Sequence, residues 1–293
     1  MFSNTVQPEI VSLFSSTGSD PLSLFATSCD STLPSDSFIH LLEDKSSLPA
    51  PPPPTVPILP PCREANQNDN ESDDSGLSLA QTVLHIQSPT LRTTYIRCPP
   101  NLSSHLGLKH PWIHLQVRDM GREWSFEMGL VDRSGRVGVV RLSTFQVNSC
   151  LPRCPFSAEL CQEPLCESRR FSRQFSCSYF QKQPRLKPST KPSSPPLLHL
   201  PLSFPSISSR PLTAWATVTL HLPALLPHFT SSSLLPRGTE DSPVPMTMPS
   251  GSFSHVSYVK VYATCRLRRI WFSQGGPSKQ APWEFELYGD EYR

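Results

Sequence analysis

Long apolar runs are missing from this chain of 293 residues. The best candidate, residues 215–226, falls short of the roughly 20 apolar residues that cross a bilayer and contains His221 and Pro223. A leader pattern is missing as well: the opening MFSNTVQ has neither a basic n-region nor an apolar h-region, so a soluble intracellular protein without a membrane partner is expected. Charge of one sign is not in excess, since 26 Lys and Arg against 24 Asp and Glu leave a net charge of +2, and no specific nucleic-acid partner is expected. The motifs of common catalysis are absent too. No G-x-S-x-G elbow, phosphate-cradling Gly-rich loop or H-E-x-x-H occurs. His85, His114 and His221 stand in β-like runs with no acidic neighbour that suggests a triad, and read as core-edge or surface residues. Glu284 and Glu286 share a face of the last β-like run and read as solvated rather than as a glycosidase pair. The expectation is therefore no catalytic residue, no cofactor and no metal site.

Proline is plentiful. With 34 prolines and 37% hydrophobic residues, a sizeable part of the chain cannot join a core. Three segments fit that description, and they read as disordered Pro/Ser-rich insertions at residues 45–76, 147–196 and 230–252. The first combines Pro51, Pro52, Pro53 and Pro54 with an acidic stretch bearing Asp69, Glu71, Asp73 and Asp74. The second holds Cys150, Cys154, Cys161, Cys166 and Cys177 among many basic residues. The spacings are irregular, with no C-x-x-C pair and no histidine, so a basic solvated loop is expected rather than zinc. The third is rich in Ser and Pro. Cys98 and Cys265 occupy β-like positions and are expected as small core residues.

Outside the insertions the chain is a succession of short β-like runs. Residues 10–14, 82–87, 92–97, 112–117, 123–131, 137–142, 197–202, 213–222 and 283–288 read as strands, and residues 22–25 as the start of another. Residues 38–42 fit a strand or a helical turn equally. Asp132, Arg133, Ser134 and Gly135 between two β-rich runs signal a hairpin. Pro223 opens a short helical turn. About ten strands and hardly a helix predict an all-β antiparallel sandwich, one domain over residues 1–293 interrupted by the insertions.

The run at residues 256–273 organises the rest. Val259, Val261 and Ala263 alternate with Tyr258, Lys260 and Tyr262, a corner follows, and Cys265 and Leu267 alternate with Arg266 and Arg268. Arg269 breaks the alternation, as a β-bulge would, and a bulge would re-aim the arginines. Arg266, Arg268 and Arg269 make either a solvated strand face or, with Lys260, a docking face for an acidic partner.

Residues 262–273 also resemble the C-terminal signature of the cilia- and flagella-associated protein 20 family. Similar stretches occur in the family's order at residues 1–7, 18–22, 92–99, 106–111, 124–127, 141–146 and 283–288. The resemblance implies a jelly-roll-like sandwich and a structural role in the axoneme, at the inner junction of doublet microtubules, in cilium assembly and motility. It implies tubulin and other inner-junction proteins as partners, and a cytoskeletal location in the cilium or flagellum, with basal body or centriole as further sites. Tubulin is acidic, so Lys260, Arg266, Arg268 and Arg269 become docking candidates, although they could equally hold the sheet together. The long insertions depart from the compact family pattern and suggest a divergent member. Two rival readings remain: a centriolar or adaptor scaffold acting through its insertions, and a carbohydrate-binding-type sandwich using Trp112, Trp124 or Trp271.

Overall fold

The computed structural model describes residues 1–49, 81–145, 174–175, 184–189, 194–204, 214–234, 248–277, 282–285 and 287. Within them the alternating runs become strands β1 (Ile10–Ser15), β2 (Ala26–Ser28), β3 (Phe38–Glu43), β4 (Thr82–Gln87), β5 (Tyr95–Cys98), β6 (Trp112–Asp119) and β7 (Ser125–Asp132). They continue as β8 (Val137–Ser143), β9 (Gln174–Phe175), β10 (Arg185–Lys187), β11 (Leu197–Pro201), β12 (Trp215–His221), β13 (Phe253–Tyr262) and β14 (Cys265–Ser273).

Two seven-stranded sheets form. The first runs β3-β4-β14-β6-β12-β9, with β1 also paired to β14; the second runs β10-β11-β8-β7-β13-β5-β2. β13 and β14 are consecutive yet lie in different sheets, so the corner at Ala263 and Thr264 carries the chain from one layer to the other. Their inward residues meet in one core: Val259 and Val261 from β13 and Leu267, Ile270 and Phe272 from β14 are buried in a single cluster. Cys98 and Cys265 lie in that core as expected. Burial pushes the Cys98 thiol up to about 12, and the Cys265 thiol is also raised.

The β7–β8 hairpin forms where the sequence signalled it. Gly135 takes φ 77°, a left-handed conformation that a Cβ would penalise. Buried Asp132 clamps the turn. Its carboxylate accepts from the amides of Ser134 and Arg136 at 2.9 Å and from Arg136 Nε at 3.0 Å. It also reaches the amides of Ser250 and Gly251 at 3.2 Å, tying the approach to β13 onto the hairpin. Burial pushes this carboxyl up, but the backbone amides and Arg136 outweigh it and hold it below its ordinary value. The turn opening at Pro223 is a 3-10 helix, Pro223–Thr230.

Several expectations are corrected. Residues 22–25 turn, with the Phe25 amide bonded to the Leu22 carbonyl at 2.9 Å, and β2 begins only at Ala26. Residues 38–42 form a strand because β4 supplies a partner along the whole run. The start of the terminal run is not extended: Trp283–Phe285 is a 3-10 turn whose Phe285 amide bonds to the Pro282 carbonyl. Proline at the start of that turn favours helical geometry, and among the described residues no strand is paired with it. The all-β sandwich is as expected and mostly antiparallel, with two parallel pairs, β11 on β8 and β9 on β12.

A parallel pair needs a long crossover. That is the topological reason for a long segment between β8 and β11. This stretch, read as a loose insertion, supplies β9 to the first sheet and β10 to the second. The proline and acidic tract of residues 50–76 lies outside the described residues. So do Cys150, Cys154, Cys161, Cys166 and Cys177, and residues 235–247.

Candidate interaction surface

The outward face of the first sheet carries the arginines. β14 pairs with β6 in a register that slips between Leu267 and Arg269, the bulge expected there. Arg268 is the extra residue, and all three arginines consequently point away from the core with Gln116 and Arg118 of β6. They are nonetheless buried.

Asp44, at the end of β3, is the reason for one of them. Its carboxylate accepts from Arg266 Nη1 at 2.7 Å, Arg118 Nη1 at 3.1 Å and Trp215 Nε1 at 2.7 Å, with no accessible surface of its own. Arg266 also donates to the Asp44 carbonyl, to Ser47 Oγ at 2.6 Å and to His85 Nδ1 at 3.1 Å. His85 Nε2 lies 3.0 Å from Gln87 Oε1, so the neutral tautomer with its proton on Nε2 satisfies both neighbours. Burial pushes His85 below its ordinary value, and the charge of Arg266 adds to the effect.

Arg268 donates to Gln81 Oε1 at 2.8 Å, Gln116 Oε1 at 2.6 Å and the Glu284 carbonyl at 3.1 Å. Arg269 lies over the Phe285 ring at 4.3 Å, and burial draws its pKa down. His114 stacks on Trp271 at 4.7 Å between Thr219 and Ser273 hydroxyls, and Phe285 caps Trp271 at 5.0 Å. Burial pushes His114 down to about 4. The segment around Phe285 thus closes over the arginine bulge.

The outward face of the second sheet is built differently. Register places one residue from each of six strands side by side: Arg185, His199, Arg141, Glu127, Lys260 and Arg97. Glu127 is the sole acid of the row. It is held by Arg141, with Nη2 at 2.5 Å and Nε at 2.9 Å from Oε2, and by the Tyr258 hydroxyl at 2.7 Å from Oε1. Lys260 Nζ stands 3.4 Å from the Tyr95 ring centroid and 4.4 Å from that of Tyr262. Arg97 covers Tyr258 and Arg141 covers Tyr262, at 5.1 and 5.9 Å. Gly129 makes room for this layer, because a Cβ there would come within 2.7 Å of the Tyr258 ring.

Burial pushes the Lys260 ammonium below its ordinary value, with Arg97 and Arg141 repelling it and Glu127 drawing it back. Burial and the charges of Arg141 and Arg185 push His199 down to about 4. Beside the row, Val139, Lys187, Pro188 and Leu197 help line an open depression of about 280 Å³.

The four docking candidates therefore do not share a surface. Lys260 belongs to the second sheet, half-buried, and Arg266, Arg268 and Arg269 belong to the opposite face, engaged within the chain. The carbohydrate-type tryptophan row does not form: Trp124 is fully buried, Trp271 lies under Phe285, and Trp112 packs tilted against His221. Of the three histidines read as core-edge or surface residues, His85 and His114 are buried and His221 is exposed. Among the described residues no group of three His, Cys, Asp or Glu side chains could hold a metal ion. Asp44 and the cationic row were missed from sequence. An alternating strand shows which residues point outward but not which strands lie next to it.

Strands β4 to β8 supply Arg97, Glu127 and Arg141 to one face and His85, Gln116 and Arg118 to the other, and a family match falls on these strands. Residues 70–165 match the CFA20 domain. The match takes in strands of both sheets and the motifs at residues 92–99, 106–111, 124–127 and 141–146. The chain is also similar to cilia- and flagella-associated protein 20 of Chlamydomonas reinhardtii, 31% identical over 68 residues. That alignment covers 23% of this chain and 36% of the relative, so the chain spans about a third of the relative's length. The CFA20 match bears out the family resemblance read from the motifs. The opening motif and the arginine-rich strand β14 lie outside residues 70–165.

Proposed function

We propose that this chain is a non-catalytic structural protein of cilia and flagella that binds axonemal doublet microtubules near the inner junction, supporting cilium assembly and motility. The observation that carries the reading is the CFA20 match over β4 to β8, strands that contribute to both sheets. The outward face of the second sheet adds support, since a row bearing Arg185, Arg141 and Lys260 suits an acidic lattice. Tubulin and neighbouring inner-junction proteins are the partners on this reading.

The test is sedimentation of the purified full chain with salt-stripped doublet microtubules and, separately, with single microtubules. Retention on doublets through a moderate salt wash, with weaker retention on single microtubules, is the expected result. Equal, salt-labile binding to both would remove the inner-junction assignment, and no binding to either would remove the microtubule role. Peptides of this chain in the salt-resistant fraction of isolated axonemes are expected as well.

A further inference from the structure

We propose that the outward face of the second sheet is a docking site for an extended acidic peptide, laid across the strands along the row Arg185, His199, Arg141, Glu127, Lys260 and Arg97. This deepens the microtubule reading and rests on it only for the identity of the protein that carries the peptide. The face itself argues for the chemistry.

Six strands each place one residue in the row. At a strand spacing of about 4.8 Å the row is roughly 24 Å long, the span of about seven extended residues. Four of its members are permanent or near-permanent cations. Arg97, at the inner end, is buried and donates to the Pro99 and Asn101 carbonyls, so Arg185, Arg141 and Lys260 are the ones presented to a ligand. The one carboxylate, on Glu127, is already occupied by Arg141 and Tyr258. Lys260 is faced by Tyr95, Tyr262, Arg97, Arg141 and Glu127, so the ammonium rests on rings and is repelled by two cations. Carboxylates arriving from outside would relieve that repulsion, and guanidinium groups receive carboxylates in paired hydrogen bonds.

The same geometry disfavours other polyanions. Bases of a single-stranded nucleic acid need open ring faces to stack on. Here Arg97 covers Tyr258, and Lys260 and Arg141 cover Tyr262. An anionic membrane would want apolar side chains beside the cations. The exposed large hydrophobics among the described residues are Met1, Val6, Leu48 and Leu102, none of them in the strands of this sheet. Leu197, Val139 and Pro188 beside the row are sufficient for the methylene stems of glutamates.

The experiment titrates the full chain into a fluorescein-labelled oligoglutamate peptide at low ionic strength and reads anisotropy. Arg185 and Lys187 are exposed, and the pair Arg185→Glu and Lys187→Glu, checked for native circular dichroism, tests the outer end of the row. Lys260→Gln, checked for native circular dichroism, tests its centre. Binding is expected to weaken roughly tenfold in each, whereas Arg122→Glu, exposed and off the row, is expected to leave it unchanged. Equal binding by the row variants and the Arg122→Glu control, no binding by the unaltered chain, or tighter binding of oligothymidylate or anionic vesicles than of the peptide would each overturn the proposal. The probe contains no tubulin. A chain that fails here but still pellets with doublets loses this site and keeps the microtubule reading.

Discussion

Asp44 gathers Arg266, Arg118 and Trp215 from three different strands onto one carboxylate that has no contact with solvent. Removing one member of such a buried cluster strands the others without a counter-charge. Asp44→Ala is therefore expected to destabilise the chain by about 3–5 kcal/mol in urea denaturation. A loss below about 1 kcal/mol would mean that water reaches the arginines. His114 sets a pH dependence at the same scale. Its folded pKa, about 4, lies below the ordinary 6.5, so the folded state prefers it neutral. Its contribution is complete above about pH 6.5 and is lost as pH falls towards 4, reaching about 3 kcal/mol, with His85 acting in the same direction. Denaturation midpoints between pH 7 and 4.5 are expected to fall less steeply for His114→Gln than for the unaltered chain. Parallel pH profiles would show that His114 is not the group responsible.

Elements are joined here by turns that carry more than their own strands. Asp132 closes the β7–β8 hairpin and also binds the amides of Ser250 and Gly251 before β13, so one side chain sets the pairing of three strands in the second sheet. Asp132→Ala leaves several amides without an acceptor and is expected to cost about 2–3 kcal/mol, measured by thermal and urea unfolding. The β14 bulge acts likewise. Its signal, Arg269 out of alternation, was legible in sequence because an extra residue breaks a period of two. The partners Gln81 and Gln116 were not legible, since both come from distant strands.

Over the whole molecule, the long connections differ in kind. β3 and β4 pair directly, Glu43 opposite Thr82, and the Asp44 amide bonds to the Gln81 carbonyl at 3.0 Å. Replacing residues 50–80 with a short Gly/Ser linker is therefore expected to change stability by no more than about 1 kcal/mol, because loop length enters closure entropy only logarithmically. A larger loss would show that this segment packs on the sandwich. The connection from β8 to β11 is expected to be far less tolerant, because it must span a parallel crossover and supplies an edge strand to each sheet.

What the sequence determined by itself is what short-range periodicity can encode: most of the strands, their inward and outward faces, the hairpin at Asp132, the bulge in β14 and the motifs of the family. Those follow from side-chain alternation and turn chemistry over a few residues. Strand neighbours are set by contacts between residues far apart in the chain, and these only the tertiary structure decided. Folding placed Lys260 in a cationic row on one face and buried Arg266, Arg268 and Arg269 on the other. Alternation alone left all four as equal candidates. It also turned residues 283–285 from an apparent strand into a 3-10 cover over the arginine bulge, because no strand among the described residues is paired with them and Phe285 finds its contacts on Trp271 and Arg269.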